Sequence, residues 1–220
     1  MASAAFTCAI KQTGTAVAMT GEATTNTTGN TYQVTNTAKR ILDPSTAITV
    51  YDGVTPIADT SVTVDYLFGK VTLSSPPGGA VTIDGAYLPS YGVAEAKAFE
   101  LSFSKDVFES TVMAATTTSK TRTAGLKDVS GSITQLDNLL TDLDSGGTTI
   151  VPFTDFTAGT TRVLEVTFPS GTIFRAFVKF SGVAEKTSVD ALLESTLSFE
   201  GNAVTGTDQT EGSSFGFSTD

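Results

Sequence analysis

A chain of 220 residues, 40% hydrophobic and 16% charged, has a globular composition and the length for one large β domain or two small ones. Its 13 Lys and Arg against 23 Asp and Glu give a formal charge of −10, which argues against the clustered basic groove of a nucleic-acid binder. The lack of His, with a single Cys, excludes a Ser-His-Asp triad, a Cys-His pair, an internal disulfide and an imidazole or thiolate zinc site.

The opening Met1-Ala2-Ser3-Ala4-Ala5-Phe6 has small residues but no basic stretch or long apolar run, so it does not read as a secretory signal. No segment reaches the ~18 consecutive apolar residues of a membrane helix. The expectation is synthesis in the cytoplasm, with the sequon Asn26-Thr27-Thr28 unmodified. Cys8 has no base beside it in sequence and reads as a small buried residue. Residues 20–37, rich in Thr, Asn and Gly, read as turn and exposed β edge. Short β-prone runs follow at 47–51, 62–67, 70–73 and 80–88, separated by Asp52-Gly53, Phe68-Gly69 and Ser75-Pro76-Pro77-Gly78-Gly79. A spacing of about 10 residues with turn chemistry between is the all-β pattern. Pro89-Ser90 marks a boundary. Residues 1–90 are expected to form a β-rich segment, either added strands or a small domain; 91–204 a β core; and 205–220 a flexible arm.

Beyond the boundary Phe99, Leu101 and Phe103 alternate with Ala98, Glu100, Ser102 and Ser104, the period of a half-buried strand. The polar run Thr116, Thr117, Thr118, Ser119, Lys120, Thr121 and Arg122 has no Gly or Pro and reads as an extended hairpin arm. Residues 126–133 read as another strand, with Val129 and Ile133 on one face. The period then changes. Leu136, Leu139, Leu140 and Leu143 fall at i, i+3, i+4 and i+7, which predicts a helix over about 134–145. Thr134 would cap it and Ser145-Gly146-Gly147 would end it. Such a helix is too short to stand alone in water. Its four Leu side chains, at roughly 1.5–3 kcal/mol each, would hold it on a sheet. Strands are predicted at 163–168, 172–180 and 193–200. In the second, Phe174, Ala176, Val178 and Phe180 share one face, and Ile173, Arg175, Phe177 and Lys179 the other. The Gly-, Ser-, Thr- and acid-rich tail reads as mobile in the free subunit, with Phe215 and Phe217 as anchors for a partner.

No catalytic, metal or cofactor constellation stands out, and the chain does not read as an enzyme. Asp142-x-Asp144-x-Gly146 has the start of a calcium loop, but Phe153 stands where the bidentate carboxylate belongs. Asp137, Asp142 and Asp144 read as solvated acids at a helix end. Gly69-Lys70 resembles the end of a phosphate loop, but Val64 replaces the upstream Gly and no Ser or Thr follows the Lys.

Four stretches resemble, in order, the tail tube (major tail) proteins of long-tailed, non-contractile bacteriophages. They are Lys105-Asp106-Val107-Phe108-Glu109-Ser110-Thr111-Val112-Met113, then Thr123-Ala124-Gly125-Leu126-Lys127-Asp128-Val129-Ser130-Gly131-Ser132-Ile133-Thr134, then residues 174–182 and residues 193–201. The resemblance covers about half the chain and leaves residues 15–90 unmatched. It implies a mainly β fold, a β-sandwich or barrel with one short flanking helix. It further implies six copies in a ring, rings stacked through the 116–122 arm and the termini, and a tube that conducts DNA into the host without binding it. The implied partners are other copies of the chain and other tail and head–tail completion proteins, with no cofactor and no membrane. The implied place is the virion tail, assembled in the host cytoplasm. An Ig-like adhesin or fibre protein of a virion or cell surface is the other reading that Thr-rich, weakly charged strands suit.

Overall fold

The structure is a computed structural model, and it describes residues 9–92, 96–109, 122–135, 152–188, 191–204 and 215–219. In chain order the strands are β1 (Ala9–Thr13), β2 (Val17–Thr28), β3 (Thr31–Val34), β4 (Thr49–Asp52), β5 (Thr55–Pro56), β6 (Val62–Asp65), β7 (Lys70–Leu73), β8 (Val81–Tyr87), β9 (Ser90–Gly92), β10 (Ala96–Glu109) and β11 (Arg122–Gln135). Helix α1 (Pro152–Ala158) precedes β12 (Arg162–Thr167), β13 (Thr172–Ser188), β14 (Ala191–Gly201) and β15 (Phe215–Thr219). The fold is mainly β, with curled antiparallel sheets forming a half-barrel, as the sequence led one to expect.

Two sheets account for these strands. The larger runs β10-β11-β14-β13-β12-β1-β9, with β15 also on β13; the smaller runs β5-β4-β8-β2-β3-β7-β6. The chain therefore lays β1 into the large sheet, makes the whole smaller sheet, and returns at β9 directly beside β1, where Gln12 faces Tyr91. The ends of this excursion meet: the Gly14 N–H donates to the Pro89 carbonyl at 2.8 Å.

In the smaller sheet the alternation is plain. Val62 and Val64 of β6, Val71 and Leu73 of β7, and Val81 and Ile83 of β8 point inward onto Leu42, Val50 and Leu67. The outward positions carry Thr. Thr28, Thr31, Thr72 and Thr63 form one row across β2, β3, β7 and β6, and the Thr31 and Thr72 hydroxyls meet at 3.0 Å. The Thr-rich composition is thus in part a β surface, where branched side chains fit the pleat.

β12 and β13 lie between two cores. Leu164, Val166, Phe174, Ala176, Val178 and Phe180 point into the large sheet's own core, with Ile133, Leu197 and Phe199. Val163 and Phe177, on the opposite face, join the core of the smaller sheet. The curl of the large sheet shows in its aromatics. β10 and β13 are three strand spacings apart, about 14 Å if flat, yet the rings of Phe103 and Phe174 are 5.7 Å apart. At the crossing of β10, β11 and β14 there is no room for a side chain at 131. A Cβ on Gly131 would lie 2.1 Å from the Glu100 carbonyl oxygen and 2.6 Å from the Phe199 ring.

The described helix is Pro152–Ala158. Thr134, expected as a helix cap, is in β11 opposite Thr196, and Gln135 ends that strand. Leu136, Leu139, Leu140 and Leu143 lie outside the described residues.

Candidate assembly surface

Charged groups are sorted by the sheet register. Lys11, Glu165 and Arg175 stand directly opposite one another on β1, β12 and β13, and Gly216 of β15 completes the row. Lys11 Nζ lies 2.9 Å from Glu165 Oε1, and Arg175 Nε donates to Glu165 Oε2 at 2.7 Å. Glu165 and Arg175 are both buried. Burial alone would raise the Glu165 pKa; the Arg175 guanidinium and the Lys11 ammonium outweigh it and hold the carboxyl below its ordinary value.

The same Arg175 ties the two sheets. Its Nη1 donates to the Leu67 carbonyl at 2.8 Å, and its guanidinium sits 5.3 Å from the Phe68 ring centre. Leu67 and Phe68 belong to the β6–β7 turn, the segment whose Gly69-Lys70 has the look of a phosphate loop; here it is a hairpin packed on the neighbouring sheet. A Cβ on Gly216 would lie 2.8 Å from that ring, so the close approach of β15 depends on glycine.

A second buried network holds α1. Asp155 accepts from Gln12 Nε2 at 3.0 Å and from Arg162 Nε at 2.9 Å. Beside it a cleft of about 660 Å³ opens between the sheets, bordered by Asp43, Ser45, Arg162, Phe177, Asn202 and Val204. Its polar walls are internally bonded. Asp43 accepts from Ser45 and Thr46, and Asn202 Nδ2 donates to the Thr161 hydroxyl. Among the described residues no group of three or more His, Cys, Asp or Glu is placed to hold a metal ion, and no helix is long and apolar enough to cross a membrane.

The surface that stands out is the β10–β11 ribbon. β11 pairs with β14 only over Ser130–Gln135. From Val129 outward to Arg122 its described pairing is with β10 alone. This ribbon carries apolar side chains into solvent: Leu126 is 80% exposed, Val107 58% and Phe103 48%. Phe103 lies 5.5 Å from Phe215 and 5.8 Å from Phe217.

The residues singled out in the sequence are distributed as follows. Thr116, Thr117, Thr118, Ser119, Lys120 and Thr121 lie outside the described residues; Arg122 begins β11, opposite Glu109. Phe215 and Phe217 are in β15, opposite Ala176 and Phe174 of the same chain. Sequence reading did not find the Lys11–Glu165–Arg175 row, because its members meet only through register. It also missed α1, although Pro at the first helical position with an acid in the first turn is a start signal.

No protein-family model matches this chain, and no curated protein matches it. Among solved structures it is similar to a chain of the virion of a native gene transfer agent particle, with a TM-score of 0.42 and 13% identity over 59% of this chain and 88% of that one. It is similar also to a chain in the tail of an empty gene transfer agent particle with C6 symmetry, with a TM-score of 0.44 and 14% identity over 59% of this chain and 87% of that one. A likeness this loose carries no argument about function.

Proposed function

We propose that this chain is a structural protein of a virion tail, and within that class a tail tube subunit of a long-tailed, non-contractile bacteriophage. Six copies close a ring, rings stack into a tube, and genomic DNA passes through on ejection. The observation that carries this reading is the open eight-stranded antiparallel sheet, which ends in a fourteen-residue edge strand, β10, and extends it as a ribbon with exposed apolar side chains. A long edge strand is a template for another chain. The sequence resemblance over residues 99–204 supports the same reading.

The charge supports it too. A conduit must pass DNA without holding it, and each Lys or Arg on a phosphate would add binding through counterion release. A formal charge of −10 per copy repels the phosphates instead. In this assembly the 116–122 arm reaches the next ring, and Leu136, Leu139, Leu140 and Leu143 dock their helix on a sheet. Other tail and head–tail completion proteins close the ends. The subunit takes no cofactor, meets no membrane, and is assembled in the host cytoplasm. Negative-stain microscopy of the purified protein tests the reading. Rings or tubes of uniform width with sixfold averages are expected; isolated monomers or trimeric fibres would instead favour the adhesin class.

A further inference from the structure

The two faces of the projecting ribbon carry opposite charge. In an antiparallel pair, residues directly opposite share a face and successive residues alternate. Phe103 faces Val129 and Lys105 faces Lys127, so these four lie on one face. It is the face Phe103 turns toward Phe215 and Phe217. Ser104 faces Asp128, which puts Asp128 and Asp106 on the other face. The register shifts between Lys105 and Val107, with one extra residue on β11. Leu126 sits at this bulge and borders a hollow with Ser104, Asp106 and Asp128, and Lys127, between Leu126 and Asp128 in the chain, reaches its rim.

Two features of this arrangement are unfavourable in an isolated copy. Like charges directly opposite in a sheet repel, and among the described ion pairs none involves Lys105 or Lys127. Leu126 at 80% exposure on one face of the ribbon, and Phe103 at 48% on the other beside Phe217 of β15 at 54%, leave apolar surface open to water where the ribbon is only two strands wide. Such ribbons are marginal in water without a partner. Each face offers what the other lacks.

We propose that the β10–β11 ribbon is a head-to-tail contact between copies of this chain. Lys105 and Lys127 of one copy meet Asp106 and Asp128 of the next, and Leu126 of that next copy seats against Phe103 and Phe217. The occupant is a second copy because the complementary charge and the complementary apolar knob both belong to this chain. The contact joins two different faces, so it is heterologous and propagates into a ring or filament, whereas a self-matching patch would stop at a dimer. This rests on the assembly reading above and adds to it the residues that set the order of copies.

The test exchanges the charges. Lys105→Glu with Lys127→Glu makes both faces acidic; Asp106→Lys with Asp128→Lys makes both basic. Circular dichroism and thermal melting establish that each variant is folded. Sedimentation velocity at low salt is expected to show each variant alone assembling only at protein concentrations roughly tenfold or more above wild type. An equimolar mixture of the two is expected to assemble again, in alternation, because an acidic-faced copy then meets a basic-faced one. Wild-type assembly of either variant alone, or a mixture of folded variants that stays monomeric, overturns the contact. Wild-type protein that stays monomeric under every condition overturns the assembly reading, and the contact with it.

Discussion

Glu165 is held between Lys11 and Arg175 in the middle of the large sheet. Its carboxyl is kept below the ordinary carboxylate value of 4.5, so folding favours the charged form. The stabilisation is complete above that ordinary value and is lost as pH falls through the lowered folded value. Glu165→Gln would leave the buried Arg175 without its counter-charge, a loss of about 3 kcal/mol at neutral pH. Urea melts at pH 7 and pH 3 are expected to show the gap between wild type and variant shrinking in acid. Gly216 carries a different load. Any side chain there meets the Phe68 ring, itself buried. Gly216→Val is expected to free β15 from β13 at a cost of about 1–3 kcal/mol. The readout is hydrogen exchange, rising over residues 215–219 while β12 stays protected.

Among the elements, those with a strong period of two were legible from the sequence. β13 reads Phe174, Ala176, Val178, Phe180 on one face, and the structure buries all four. The β6–β7 hairpin and the turn at Pro169-Ser170-Gly171 were legible from Gly and Pro placement. α1 escaped because seven residues are too few to display a helical period. β11 ran further than expected because Ile133 and Thr134 find Leu197 and Thr196 across the ladder, and cross-strand pairing overrides a cap signal that a single sequence shows equally well. The C-terminal strand was hidden by composition: Phe215-Gly216-Phe217 looks like tail until β13 offers Ala176, Arg175 and Phe174 opposite it. The arm proposed at residues 116–122 has a test at this scale. Removing residues 116–121 is expected to leave the melting temperature unchanged and to shorten or abolish tubes while rings still form; tubes of normal length would remove the arm from ring stacking.

For the molecule as a whole, composition excludes chemistry that needs His or paired Cys, and the sheet order lay beyond it. Nothing local in the sequence says that β1 pairs with β9 and β12 across the smaller sheet, because such pairings depend on contacts distant along the chain. The tube reading makes a prediction at this scale. A reconstruction of the assembled protein is expected to show a bore with net acidic lining; a bore lined by Lys and Arg would contradict it.

The excursion that makes the smaller sheet starts and finishes at one point, where Gly14 and Pro89 share a hydrogen bond. Topologically it is an insertion: a short turn joining β1 to β9 would preserve every pairing of the large sheet. What keeps it from being dispensable is the far face of β12 and β13, where Val163, Phe177 and the Glu165–Arg175 pair would be laid open. Its outer loops are free of that duty. Insertions or deletions in them are therefore expected to leave every pairing of the large sheet as it is.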